Sequence, residues 1–107
     1  MTPSANMFAI RSTEADATFT GTIEIVPAPG VGGTIIIRSL IVSSDTAFTA
    51  ALKSATTRKG PKLFCAANGG AALSDMALKL SANEAFNIAF TGGGNGSYYC
   101  EYQITGL

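Results

Sequence analysis

The chain has 107 residues, with seven basic and seven acidic side chains and neither histidine nor tryptophan, a length that sets one domain as the limit. Charged residues make up 13%, against roughly 25% in a typical soluble domain, while alanine, glycine, serine and threonine fill nearly half of the positions. A net charge of zero removes the electrostatic footprint expected of a general nucleic-acid binder, which needs clustered Lys and Arg, and makes an anionic membrane an equally poor partner, while weak self-repulsion favours association.

From the N-terminus, MTPSANMFAI has no charged region followed by an apolar one, so the chain reads as soluble and intracellular at synthesis. Met1 to Met7, uncharged and containing Pro3, is a candidate arm able to pair as a strand with a partner, against the plainer reading of a frayed terminus. Ala17 to Val26 reads as a strand, with Phe19, Ile23 and Ile25 near one face and Thr18, Thr20, Thr22 and Glu24 on the other. The loop PAPGVGG then reverses the chain into Thr34 to Ser44. That run is nearly continuous in apolar residues, which predicts a strand covered on both faces, by a second layer or by another subunit. Its longest aliphatic stretch, Ile35 to Val42, is interrupted by Arg38 and Ser39 and falls short of the ~20 residues that span a bilayer.

Asp45 to Gly60 carries two patterns. Ala47, Phe48, Ala51, Leu52 and Ala55 share a helical face, with Asp45 as cap and Arg58 and Lys59 in the last turn before Gly60 and Pro61. With period two, Phe48, Ala50, Leu52 and Ser54 form one side of a strand, although the local signals favour the helix. Leu73 to Phe86 is equally divided, since Leu73, Met76 and Leu80 fit a helical stripe and Met76, Leu78 and Leu80 a strand face. Breaks are predicted at Pro27 to Gly33, Gly60 with Pro61, Gly69 with Gly70, and Gly92 to Gly96. Finally, Phe86, Ile88 and Phe90, then Tyr98, Cys100, Tyr102 and Ile104, alternate with polar or small residues on either side of Gly92 to Gly96, which predicts a β-hairpin.

The missing histidine eliminates Ser-His-Asp and Cys-His nucleophiles and His-based zinc sites. A carboxylate-only hydrolase needs a placed acid pair. Glu14 with Asp16 is the sole close pair, and it reads as ordinary turn residues before a strand. Gly92 to Gly96 lacks the helix and lysine of a phosphate loop. No enzymatic role, cofactor or metal is expected. Cys65 and Cys100 are the candidates for a disulfide, but two cysteines without a secretory signal read more naturally as buried free thiols. The basic segment Thr56 to Lys62, with Arg58, Lys59 and Lys62, is a candidate contact with an acidic partner, set against a solvated loop. Tyr98 and Tyr102 share the face of Cys100 and Ile104 and belong to the core. Tyr99 points the other way, as an interface anchor would.

The ordered segments FAIRSTEADATFTGTIEIVPAPGVGGTIIIRSLIVSSDTAFTAALKSATT, CAANGG, LSANEAFNIAF and GSYYCEYQI resemble, over nearly the whole chain, small β-sandwich virion proteins of tailed bacteriophages: capsid decoration (cement) proteins and related head or tail accessory subunits. The resemblance rests on the order of strand, glycine turn and strand, with no catalytic motif in it. It implies an all-β, single-domain antiparallel sandwich over residues 1–107, jelly-roll-like, of about eight strands, in which Asp45 to Ser54 and Met76 to Leu80 are strands. It also implies a homotrimer on the capsid exterior, bound to the major capsid protein, made in the host cytoplasm and contacting neither nucleic acid nor membrane. Pro3, Met7, Arg58, Lys59, Lys62 and Tyr99 are the interface candidates. A fibre or receptor-binding module recognising host glycans is the alternative, for which Tyr99 with Asn87 and Asn95 would form the site. A non-viral structural subunit or adhesin domain is a further class, and it would require export.

Overall fold

Alternation of apolar or small side chains with polar ones leaves a segment one face to bury, and period two is the repeat of a strand. In the computed structural model, which describes residues 9–92 and 94–106, these segments become nine strands and no helix among the described residues. They are β1 (Arg11–Thr18), β2 (Gly21–Val26), β3 (Thr34–Ser44), β4 (Phe48–Ser54), β5 (Thr57–Cys65), β6 (Gly69–Leu73), β7 (Leu78–Lys79), β8 (Phe86–Thr91) and β9 (Asn95–Thr105). One sheet has the order β1-β9-β3-β6, with β7 also pairing β3, and the other the order β2-β8-β4-β5. Every pairing is antiparallel. The chain changes sheet at almost every step, which is the jelly-roll arrangement of two packed antiparallel sheets. The expected sandwich is therefore present, with the two-residue β7 as a ninth strand.

The ambiguous segment 45–60 is resolved by burial. Phe48, Ala50, Leu52 and Ser54 are all buried in strict alternation, whereas Ala47 and Ala51 of the helical stripe lie outside the core. Small alanines commit the backbone weakly, and packing decides. Of Met76 to Leu80, only Leu78 and Lys79 pair as a strand, against Ile37 and Ile36.

Several sequence expectations are corrected. The strand expected over Ala17 to Val26 is two strands in different sheets, broken at Phe19 and Thr20. Phe19 turns wholly into the core, and its N–H donates to the Gly94 carbonyl at 2.9 Å. Glu14 and Asp16 lie within β1 and not ahead of a strand. The predicted hairpin of Phe86 to Thr105 is absent, because β8 and β9 belong to opposite sheets; the glycine loop crosses between layers instead of forming a hairpin tip. β2 and β3, joined by PAPGVGG, likewise lie in different sheets. Gly60 with Pro61 and Gly69 with Gly70 sit inside β5 and β6. β5 is an edge strand and its register against β4 shifts between Ala51 and Lys53, so an irregular edge takes the proline, where no ladder N–H is missed. Gly70 is needed for a different reason, since a Cβ there would overlap the Val42 carbonyl of the neighbouring strand.

The core runs between the sheets through Ile35, Ile37, Leu40, Val42, Leu52, Phe86, Ile88 and Cys100, none of them exposed. At one end Phe19 stacks on Phe90, with centroids 3.9 Å apart, and meets Phe48 edge-on at 5.2 Å. At the other end Ser54, fully buried, donates to Glu84 Oε1 at 2.6 Å and accepts from the Ser81 N–H at 3.0 Å. Asn83 fastens the β2–β3 loop there. Its Oδ1 accepts from the Gly30 N–H at 2.9 Å, and its own N–H donates to the Gly33 carbonyl at 2.7 Å.

Candidate assembly surface

A shift in β3 determines which of its side chains face outward. The register against β9 slips between Ile37 and Ser39, so Ile35 and Ile37 are buried before it and Leu40, Val42 and Ser44 after it. Ile41 is thereby turned out and is 48% exposed. The expectation that β3 is covered on both faces is not met within one chain. Across the first sheet's outer face, Glu14, Tyr99, Ile41 and Ala72 lie in register. The next row contains Asp16, Ser97, Ser43 and Gly70. A shallow cleft of about 410 Å³ lies over Glu14, Asp16, Ile41, Ser97 and Tyr99 on this face.

Glu101 organises the centre of that face. It accepts from Ser39 Oγ at 2.7 Å and from the Tyr99 hydroxyl at 3.0 Å. The hydrogen bond to Glu101 is the main reason the Tyr99 phenol is held above its ordinary value. Tyr99 therefore projects from the outer face, as its place in the alternation predicts, with its hydroxyl anchored by a neighbour two residues on. Tyr98 and Tyr102 pack on the core.

The second sheet ends on β5, which with β4 carries Lys53, Arg58, Lys59 and Lys62 and no acidic residue. The basic segment is thus not a free loop. It forms the turn and edge strand of a hairpin. Phe64, on the outward face of this edge across from Thr49, is 78% exposed, with Lys62 Nζ 5.8 Å from its ring centroid. Thr49 Oγ1 is buried without a hydrogen-bond partner. Phe64 and Ile41 are surface features that sequence reading passed over, and the acidic pair Glu14 and Asp16, read there as turn residues, lies on the exposed face of β1. For Phe64 the available signal was the alternation with Leu63 and Cys65 once β5 is placed as a strand; Ile41 carries no such signal, because unbroken alternation from Ile35 and Ile37 would point it inward.

The remaining candidates divide. Pro3 and Met7 lie outside the described residues. Cys65, on the edge strand β5, and Cys100, in the middle of the other sheet, are free thiols. Asn87 donates to the Ala55 carbonyl at 3.0 Å in the second sheet, so it does not join Tyr99 and Asn95, and the glycan site expected of these three is not assembled. A wider cleft of about 740 Å³ lies at one end of the first sheet, with Asp16, Asp45, Asn68 and Asn95 in its wall. Among the described residues no group of three or more His, Cys, Asp or Glu side chains is placed to hold a metal ion.

No protein-family model matches the chain, and no curated protein matches it in sequence. Solved structures with a similar outline include the pilus subunit of Bacillus endospore appendages, described as a novel family of disulfide-linked pili. It is 16% identical, with 96% of each chain covered and a TM-score of 0.49. Another is the virus-like particle of extra small virus from the giant freshwater prawn Macrobrachium rosenbergii. It is 9% identical, covering 100% of this chain and 85% of that one, with a TM-score of 0.44. At such distances the likeness is one of outline, and no property of either protein is carried over to this chain.

Proposed function

We propose that this protein is a non-enzymatic virion subunit, a capsid decoration (cement) protein seated as a homotrimer on the outside of a tailed-phage shell. The observation that carries this reading is the outer surface. Ile41 and Phe64 stand exposed on the outer faces of the two sheets, Ile41 between Tyr99 and Ala72 and Phe64 across from Thr49. An exposed aromatic such as Phe64 is a side chain of the size that anchors interfaces by filling a partner's pocket. A second copy of the chain would supply that pocket within the trimer, and the assembled trimer would sit over seams between coat subunits, so the major capsid protein is the partner this reading requires. Binding the closed shell and not its separated subunits stabilises it by RT ln(1 + [L]/Kd) per site, so modest affinity repeated over many sites is enough and no reactive group is needed.

The test is to add purified protein to expanded shells that lack it. Saturable pelleting with the shells is expected, along with a dissociation temperature that rises with protein concentration. Failure to pellet, or pelleting that leaves shell stability unchanged, would contradict the proposal. A second reading, a receptor-binding module, is favoured by the polar cleft with Asp16, Asp45, Asn68 and Asn95 in its wall. Specific, saturable hits in a glycan screen, lost on Asn68→Ala or Asn95→Ala, would select it instead.

A further inference from the structure

A neutral chain can still be polar as a body, and here the charges are sorted by edge. β1 carries Glu14 and Asp16, both exposed on the outer face of the first sheet, and one cation, Arg11, at its start. β5 closes the second sheet with Arg58, Lys59 and Lys62 and no acid. β1 is the far strand of its sheet from β6, and β5 packs beside β6, so the acidic and basic edges lie on opposite sides of the molecule.

Each edge also presents an apolar feature of matching form. On the basic edge, Phe64 projects with 78% of its surface exposed and the Lys62 ammonium beside its ring. Next to the acidic edge, the 410 Å³ cleft has Ile41 and Tyr99 among its walls and Glu14 and Asp16 at its rim. We propose that Phe64 of one copy seats in this cleft of a second copy, with Lys62 and Arg58 set against Glu14 and Asp16 of that copy. Aromatic anchors entering a pocket ringed by polar groups are the usual source of interface energy, and the opposed charges fix orientation and speed encounter.

The projecting side chain and the cleft are different surfaces of one chain, so the contact is heterologous: it closes into a ring or runs on as a filament. A three-membered ring is the closed form that the proposed homotrimer calls for, and in that respect the inference rests on the reading above.

The experiment is light scattering on four samples at micromolar concentration, with circular dichroism to confirm the fold of each variant. These are the wild type, Phe64→Ala with Lys62→Ala, Glu14→Lys with Asp16→Lys, and an equal mixture of the two variants. The wild type is expected to be an oligomer that weakens as salt rises, and each variant alone a monomer. The mixture should form a dimer of one chain of each kind and nothing larger, because only one intact anchor and one intact cleft can meet. Phe64→Ala alone should weaken association about 30-fold, as removal of a strong anchor does. Two variants that both keep the wild-type mass would overturn this contact while leaving the trimer intact. A monomeric wild type would overturn the contact and the trimer together. Loss of shell binding by Phe64→Ala at unchanged mass would assign Phe64 to the coat and also overturn the proposal.

Discussion

Cys100 lies fully buried at the centre of the first sheet, and its thiol is pushed up to about 12 from 9.0, first by burial and then by the Glu101 charge. Burial alone raises Cys65, which is only partly covered. At pH 8 a disulfide exchange reagent should therefore label Cys65 in the native protein and leave Cys100 untouched until the chain unfolds. The Cys100 thiol keeps its proton in the folded state when the unfolded chain has already released it. Stability linked to it is complete below pH 9 and is lost as pH rises from there toward about 12. Denaturant titrations at pH 8 and pH 10.5 should show a larger loss for the wild type than for Cys100→Ala; equal losses would refute the assignment. That Cys100 faces inward was legible from its alternation with Tyr99 and Glu101. That Tyr99 shares Glu101 with Ser39 was not, because Ser39 is 62 residues away in sequence from Glu101 and faces it only through the slipped register of β3.

At the scale of elements, the junction of β1, β2 and β9 fixes one end of the sandwich. Phe19 fills it, and Gly96 passes so close that a Cβ there would lie 2.6 Å from the Phe19 ring. Ala is expected to cost about 1–3 kcal/mol at position 96, the usual range for overpacking a filled core, measured as a lowered midpoint of urea unfolding. Unchanged stability would mean that the ring moves aside freely. Strand identity could be read where packing alternates cleanly, as in Phe86 to Phe90 and Tyr98 to Ile104. Strand partnership could not. A glycine run between two alternating segments looks the same whether it closes a hairpin or crosses between layers, and what separates the cases is the distant partners each strand finds, β2 and β4 for β8, β1 and β3 for β9. β1 was missed because an edge strand exposed along most of its length has no apolar face to show: STEADAT contains no large apolar residue.

For the molecule as a whole, composition became informative only once the charges were placed. Equal numbers of acidic and basic residues give zero net charge, yet β1 holds an acidic pair on one edge and β4 with β5 four cations on the other. A body of this kind has little long-range repulsion between copies and a preferred way for copies to meet. The candidate site was half visible in advance: the basic segment and Tyr99 stood out by type and Phe64 could be placed by alternation within β5, whereas Ile41 became a surface residue only through a register slip that sequence does not announce. The most direct test of the assembly account is electron cryomicroscopy of shells incubated with the purified protein. The account predicts jelly-roll density on the outer surface in groups of three, related by a three-fold axis. Bare shells, or single copies with no neighbour of their own kind, would contradict it.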